Sequence, residues 1–196
     1  MNKKNIIILG TGGHSTSITD LILSTKKYKI LGFLCSKRKE GDNFLNYKVL
    51  GSERYLKKLN KNTLVVLGFS FYKSPKKYKE KYLEIKKMGF EIPTVVSPFS
   101  YVSKNSVIGK GVNIFHGVVI NNNSKIGNAV TVNSKTLIEH DCQIGDFSHI
   151  STGCILNGSV KVAKETFIGS GTIVRENIRI NKKKFIKMAS TLSKDT

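Results

Sequence analysis

Residues 138–150 read Ile138-Glu139-His140-Asp141-Cys142-Gln143-Ile144-Gly145-Asp146-Phe147-Ser148-His149-Ile150, with an isoleucine at every sixth place and polar or small residues between. The same spacing runs outward in both directions: Val102, Ile108, Ile114, Ile120, Ile126 and Val132 precede the stretch, and Leu156, Val162, Ile168, Val174, Ile180, Ile186 and Leu192 follow it. A second series lies four residues after each of the first thirteen members. It runs Ser106, Val112, Val118, Ser124, Val130, Thr136, Cys142, Ser148, Cys154, Val160, Thr166, Thr172 and Ile178, and admits only compact or β-branched side chains.

A period of six is neither the 3.6 of a helix nor the 2 of an ordinary strand. It belongs to a solenoid in which each short strand and turn contributes one large and one small inward residue, and stacked coils bury them together. Gly109, Gly127, Gly145 and Gly169 directly follow large members, and are read here as residues of tight corners. The expected fold of residues 98–196 is an all-β left-handed parallel β-helix of hexapeptide repeats.

Residues 1–97 follow a different pattern, in which short apolar runs alternate with lysine-rich helical stretches. Ile6–Leu9, Ile30–Leu34 and Leu64–Leu67 read as strands, Ile18, Leu21 and Ile22 as one helix face, and Tyr78, Tyr82, Ile85 and Met88 as a second helix stopped by Gly89. Ile92–Val96 reads as the closing strand before Pro98. The expectation is an α/β domain, a Rossmann-like parallel sheet of about four or five strands with flanking helices.

Composition narrows the classes further. The chain has 196 residues, 39% of them hydrophobic, enough for ordinary cores. Met1 to Lys4 leads into an apolar run far too short for a signal peptide or a membrane span, so a cytoplasmic protein without membrane insertion is expected. Cys35, Cys142 and Cys154 are odd in number and lack metal-type spacing, which predicts neither disulfide nor metal. The net charge of +20, with lysines dense in Lys73–Lys87 and Arg179–Lys187, attracts anions. No zinc-finger, helix-turn-helix or RNP pattern accompanies it, so no nucleic-acid partner is expected.

The hexads, the Gly-rich opening segment and the stretch Ile138–Ile150 together resemble the NeuD/PglD family of bacterial sugar acetyltransferases. That resemblance implies an acetyl-CoA-dependent enzyme of surface-glycan synthesis, most simply one that N-acetylates the 4-amino group of a nucleotide-linked 4-amino-4,6-dideoxy sugar. The alternative is O-acetylation of sialic acid or a related sugar. It also implies a homotrimer with sites between neighbouring β-helices, a sugar or nucleotide-sugar held by the N-terminal domain, and catalysis by His140 as general base with Asp141 as its orienting carboxylate. The chemistry asks for such a base independently, because an amine or hydroxyl attacking a thioester must lose a proton, and imidazole titrates near neutral pH. His140 occupies the third place of its hexad, outside the core series. With coils of eighteen residues, as in similar β-helices, Gly158 stacks over His140 and offers a backbone N–H to the developing oxyanion, or is simply a corner glycine. His149 matches a family histidine that contacts the acetyl donor. Gly169, Ser170, Gly171 and Thr172, with Arg175 and Lys187, are the expected contacts for pantetheine and phosphates. His116 reads as a solvated corner residue.

Gly10-Thr11-Gly12-Gly13-His14 lies between a predicted strand and a predicted helix, where backbone N–H groups can cradle an anion. The dinucleotide fingerprint fails, since Ser15 stands where its third glycine belongs and Cys35-Ser36-Lys37-Arg38 ends the second strand without an acid for a ribose. No NAD is expected; Gly10, Thr11, Gly12, Gly13, His14 and Ser36 are expected to line a sugar or nucleotide-sugar site. The chain departs from the family at Thr16, often a lysine, and at Cys35 and Ser36, where nucleotide-sugar enzymes carry aspartates. Ser15-Thr16-Ser17-Ile18 looks closer to sialate-modifying members. The tail Ile186–Leu192 keeps the register but lacks the usual glycines, which leaves a non-catalytic β-helix module as a further alternative.

Overall fold

The computed structural model describes residues 3–69 and 75–196; Met1, Asn2 and Lys73 lie outside them. The chain divides into two compact units, Met1–Pro93 and Thr94–Thr196.

The first unit is built on the sheet β3-β4-β2-β1-β5. β1 (Lys4–Leu9) is central, flanked by β2 (Tyr28–Leu34) and β5 (Leu64–Leu67), both parallel to it. Ile6, Ile7, Ile8 and Leu9 are all buried, which is why the strand reads as an unbroken apolar run. β3 (Asn43–Phe44) and β4 (Tyr47–Gly51) form an antiparallel hairpin that extends the far edge, and a 3-10 turn follows at Glu53–Lys58. α1 (Gly13–Ser24) buries Ile18, Leu21 and Ile22, and α2 (Pro75–Lys87) buries Tyr78, Tyr82 and Ile85. Gly89, at φ +83°, lies just beyond its end.

The second unit is a left-handed parallel β-helix with two-residue strands on three faces. Face I carries Tyr101–Val102, Val119–Ile120, Leu137–Ile138, Ile155–Leu156, Ile173–Val174 and Thr191–Leu192. Face II carries Val107–Ile108, Lys125–Ile126, Gln143–Ile144, Lys161–Val162 and Arg179–Ile180. Face III carries Val95–Val96, Asn113–Ile114, Thr131–Val132, His149–Ile150, Phe167–Ile168 and Phe185–Ile186. Ile120 pairs with Ile138 and Ile138 with Leu156, so a coil is eighteen residues, three hexads. Both inward series form one core in which most members are fully buried. Each buried isoleucine contributes about 1.5–3 kcal/mol.

The small inward positions also tie the corners. Ser106 Oγ donates to Asn121 O at 2.8 Å, Ser124 Oγ to Glu139 O at 2.7 Å and Cys142 Sγ to Asn157 O at 3.2 Å, each reaching fifteen residues ahead. A hydroxyl or thiol inside the prism is therefore satisfied by a corner carbonyl, and need not be excluded from the core.

Two expectations are corrected. Val95–Val96 pairs with Asn113–Ile114 and opens the β-helix; it does not close the first sheet. Gly109, Gly127, Gly145 and Gly169 are not the left-handed corner residues. That conformation falls two places later in each hexad, on Gly111, Gly117, Asn123, Ala129, Lys135, Asp141 and their successors. The four glycines are required by close approach of the next coil, since a Cβ on Gly145 would stand 2.5 Å from Lys164 N and one on Gly169 2.4 Å from Met188 N.

Candidate functional site

The corner that leads from face I to face II stacks residues eighteen apart, roughly 4.8 Å per coil. Its middle column is Lys104, Asn122, His140, Gly158 and Glu176. His140 projects from the middle coil with 61% of its side chain exposed, and its Nδ1 lies 2.7 Å from Asp141 Oδ2. Asp141 sits at φ 62°, a left-handed conformation that aspartate tolerates better than most residues. Its other carboxylate oxygen, Oδ1, accepts from Asn123 Nδ2. Hydrogen bonds from His140 and from Asn123 hold the Asp141 carboxyl below the usual carboxylate range, so it is ionised at neutral pH.

A Cβ on Gly158 would stand 2.7 Å from His140 Cε1 and 2.8 Å from Nε2, with no backbone atom among its nearest neighbours. Gly158 is thus more than a corner residue: the space a side chain would fill holds the imidazole ring. The equivalent N–H groups of Lys110 and Asn128, at another corner, are capped by Asn128 Oδ1 and Asp146 Oδ1 from the following coil. Gly158 N–H has no such cap among the described residues.

The other expected residues of the β-helix are dispersed. Arg175 shares the His140 corner and pairs with Glu176 at 3.4 Å. Gly169–Thr172 and Lys187 lie at the corner between faces III and I, and His149 lies on face III. There His149 is buried and stacks on Phe167, which stacks on Phe185, at centroid distances of 5.1 and 4.8 Å. One chain therefore does not bring His149, Gly169 or Lys187 to His140. His116 Nδ1 lies 2.6 Å from the buried Ser97 Oγ, which also accepts from Phe99 N–H; this histidine holds a turn.

In the first unit, Gly10 adopts φ +107° between β1 and α1, and α1 begins at Gly13, with Gly12 as an N-cap that has no side chain to bond the first turn and no acid in that turn. Ser15, in place of the third fingerprint glycine, is buried and donates to Gly68 O at 2.7 Å. A Cβ on Gly68 would stand 2.4 Å from Ser15 Oγ, so the glycine needed for close helix–strand packing has moved to the end of β5. Burial pushes the His14 imidazole down to about 4, leaving it neutral at physiological pH. At the end of β2, Thr11 Oγ1 donates to Cys35 Sγ and accepts from Arg38 Nε, each at 3.2 Å, so a guanidinium stands beside the loop where an acid would read a ribose. Ser36 is exposed beside it.

Cys35, Cys142 and Cys154 are free, and burial pushes the Cys142 thiol up to about 11, which suits a packing residue. Among the described residues no His, Cys, Asp and Glu cluster is arranged for a metal, and no helix is long and apolar enough to cross a membrane.

Residues 5–71 match the PglD N-terminal domain family. Among solved structures, the acetyltransferase domain of PglB from Neisseria gonorrhoeae superposes with a TM-score of 0.91 at 23% identity, covering 98% of this chain and 93% of that one. PerB from Caulobacter crescentus, solved with CoA and GDP-perosamine, gives 0.89 at 21% identity over 97% and 89% of the two chains. WeeI from Acinetobacter baumannii gives 0.85 at 20% over 97% and 92%. No curated protein sequence matches the chain significantly. The first unit thus resembles the PglD N-terminal domain over residues 5–71, and the whole chain has the two-part fold of the PglB acetyltransferase domain and PerB.

Proposed function

We propose that this protein transfers the acetyl group of acetyl-CoA to a sugar of bacterial surface glycans, most simply to the 4-amino group of a nucleotide-linked 4-amino-4,6-dideoxy sugar. The observation that carries the reading is the exposed His140 ring, fixed by Asp141 through Nδ1 and laid over Gly158. Donation of Nδ1–H to an ionised carboxylate leaves the Nε2 lone pair to accept a proton. As the amine nitrogen bonds to the thioester carbonyl carbon, His140 takes the amine proton; when the C–S bond breaks, that proton passes to the departing sulfur and CoA leaves as its thiol. Gly158 N–H is the proposed donor to the carbonyl oxygen, where charge develops. The solved relatives support this reading, since the PglB domain binds acetyl-CoA and PerB binds CoA with GDP-perosamine.

A homotrimer belongs to the proposal. The outward residues of face I form an apolar column of Tyr101, Val119, Leu137, Ile155 and Ile173, the first and last 60% and 42% exposed. Packing of neighbouring β-helices covers such a column and brings one copy's His149 and Gly169–Thr172 to another's His140 corner. Arg38 at the glycine loop favours a second reading, O-acetylation of an acid sugar such as sialic acid, because a guanidinium pairs with a carboxylate as readily as with a phosphate.

The test is thiol release from acetyl-CoA against UDP-, dTDP- and GDP-linked 4-amino sugars and free and CMP-linked sialic acids. Turnover that falls about 10²-fold or more in His140→Ala, with an unchanged melting temperature, is expected. Activity within threefold of the parent removes His140 from the mechanism. Silence on the whole panel without coenzyme binding makes the chain a non-catalytic module.

A further inference from the structure

Face II carries basic residues that the acetyl-transfer site does not use. Its outward residues in successive coils are Lys125, Gln143, Lys161 and Arg179, all exposed and roughly 4.8 Å apart. Beside them runs a groove of about 660 Å³, lined also by Gly127, Gly145 and Ala163 and by Asp146, Lys164 and Asn181, with the core residues between them completing the lining. Four cations therefore face one acid. The side chains of Lys125, Lys161, Lys164 and Arg179 form no ion pair or hydrogen bond among the described residues. Lys161 and Arg179 are register partners, so two like charges stand side by side, an arrangement that costs stability unless an anion lies between them.

The hydrogen bonds of the neighbouring corner, between faces II and III, change at the same level. Lys110 N–H donates to Asn128 Oδ1 at 2.9 Å and Asn128 N–H to Asp146 Oδ1 at 2.6 Å, each capped by the residue eighteen places on. In the next two coils that residue is Lys164 and then Lys182, whose side chains hold no acceptor. The N–H groups of Asp146 and Lys164 accordingly donate to nothing among the described residues. A Cβ on Gly127 would stand 2.5 Å from Asp146 Oδ1, whereas one on Gly145 meets only backbone among its nearest atoms. At one coil an oxygen of the chain lies over the glycine; at the next, the sequence offers a turn N–H flanked by ammonium and guanidinium groups.

We infer that this groove is a phosphoryl-binding site. A phosphate oxygen accepts from Asp146 N–H as Asp146 Oδ1 accepts from Asn128 N–H, and Lys161, Lys164 and Arg179 balance its charge. A phosphoryl group carries about −1.5 to −2 charges and three acceptor oxygens. That matches four cations less one acid better than a single carboxylate does. The lining has no aromatic ring to stack a base or a sugar face, so the phosphoryl group is the recognised part, on a soluble phosphate ester or on a lipid headgroup. Face II holds none of the residues proposed for acetyl transfer or for the trimer contact, and the inference stands apart from that reading.

Calorimetric titration of the full chain with inorganic phosphate and with pyrophosphate, at fixed ionic strength, tests it. Lys164→Asn supplies Asp146 N–H with an amide oxygen, as Asn128 does for Lys110 N–H. It should melt no lower than the parent and bind the probes about tenfold more weakly. Arg179→Gln should weaken binding by about fivefold. Lys29→Asn makes the same charge change at an exposed position of β2 and should bind as the parent does. Flotation with phosphatidylcholine vesicles, with and without phosphatidic acid, separates the two sources. Capture by phosphatidic acid that is lost in Lys164→Asn assigns a lipid phosphate, and binding of the free probes without capture assigns a soluble ester. The affinity for coenzyme A, titrated alongside, should stay within about twofold in Lys164→Asn; a fall that parallels the loss of probe binding would give the groove to the coenzyme and overturn the inference. It is overturned equally by no binding of probes or vesicles, by equal binding in Lys164→Asn and the parent, or by an equal loss in Lys29→Asn, which would leave only the attraction of the net charge.

Discussion

Two corners of the same prism are built to one backbone pattern and carry opposite residues. At the corner between faces II and III, the column Gly109, Gly127, Gly145, Ala163 is stripped of side chains, and carbonyl and amide groups of successive coils fill the space. At the corner between faces I and II, the equivalent column reads Ser103, Asn121, Glu139, Asn157, Arg175, followed in each hexad by the column that contains His140. The backbone has the same left-handed residue at Asp141 and at Phe147, so geometry alone does not separate them. What separates them is the direction of the polar groups. Asp146 turns its carboxylate inward to cap Asn128 N–H at 2.6 Å, whereas Asp141 turns outward to His140. A repeat fold thus supplies its own control: a residue that departs from the column, without serving the next coil, is a candidate for chemistry.

The largest expected effect falls on the floor the two corners share. Ile144 is 2% exposed and stands between them in the same coil. Ile144→Asp buries a charge with no partner and should abolish the folded β-helix, read as loss of a cooperative melt. Gln143→Asp, its outward neighbour, should melt as the parent does. A folded Ile144→Asp protein would undo the register on which both corners rest.

The glycines give the next test. In Gly145→Ala the new methyl meets the backbone of residues 163 and 164, which cannot swing aside, and should cost about 1–3 kcal/mol, several degrees of melting temperature. In Gly158→Ala the nearest atoms belong to the His140 ring, which can rotate away. Stability should hardly change while turnover falls, by about tenfold for a displaced base. Equal stability losses at both positions would make Gly158 a structural glycine and remove the contrast.

The hexads made the β-helix legible because inward positions are chosen by one rule repeated through every coil. The acid–imidazole pair was legible too, as the family stretch Ile138–Ile150. The hairpin β3–β4 was not, because its turn uses Leu45 and Asn46, at φ 48° and 62°, in place of the Asn-Gly that signals such a turn. Nor were the amide contacts of the His140 corner, because Asn105, Asn121 and Asn122 read along the chain as ordinary loop residues. They are joined to Glu139 and to one another only when neighbouring coils are stacked. The same holds for Ser15, whose missing glycine is supplied by Gly68, fifty-three residues on.

The two aspartates carry the finest contrast. Asp146→Ala removes a cap from Asn128 N–H and should cost about 1 kcal/mol, two to four degrees in the melt, without touching kinetics. Asp141→Asn should leave the melt unchanged near neutral pH and lower kcat about tenfold, since a neutral amide orients the ring without stabilising its protonated form. The pH profile separates orientation from charge. The Asp141 carboxyl is held below its usual range in the fold, so its interaction with His140 is complete above about pH 3.9, the ordinary carboxylate value, and fades only as pH falls through the lower folded value. Across any neutral assay range the carboxylate is therefore a fixed negative charge beside the ring. The kcat loss in Asp141→Asn should persist undiminished across that range and shrink only in acid, as the parent's own Asp141 carboxyl takes up its proton. A kcat within twofold of the parent at neutral pH would reduce Asp141 to a positioning residue, and an equal loss in Asp146→Ala would show that the two corners act as one.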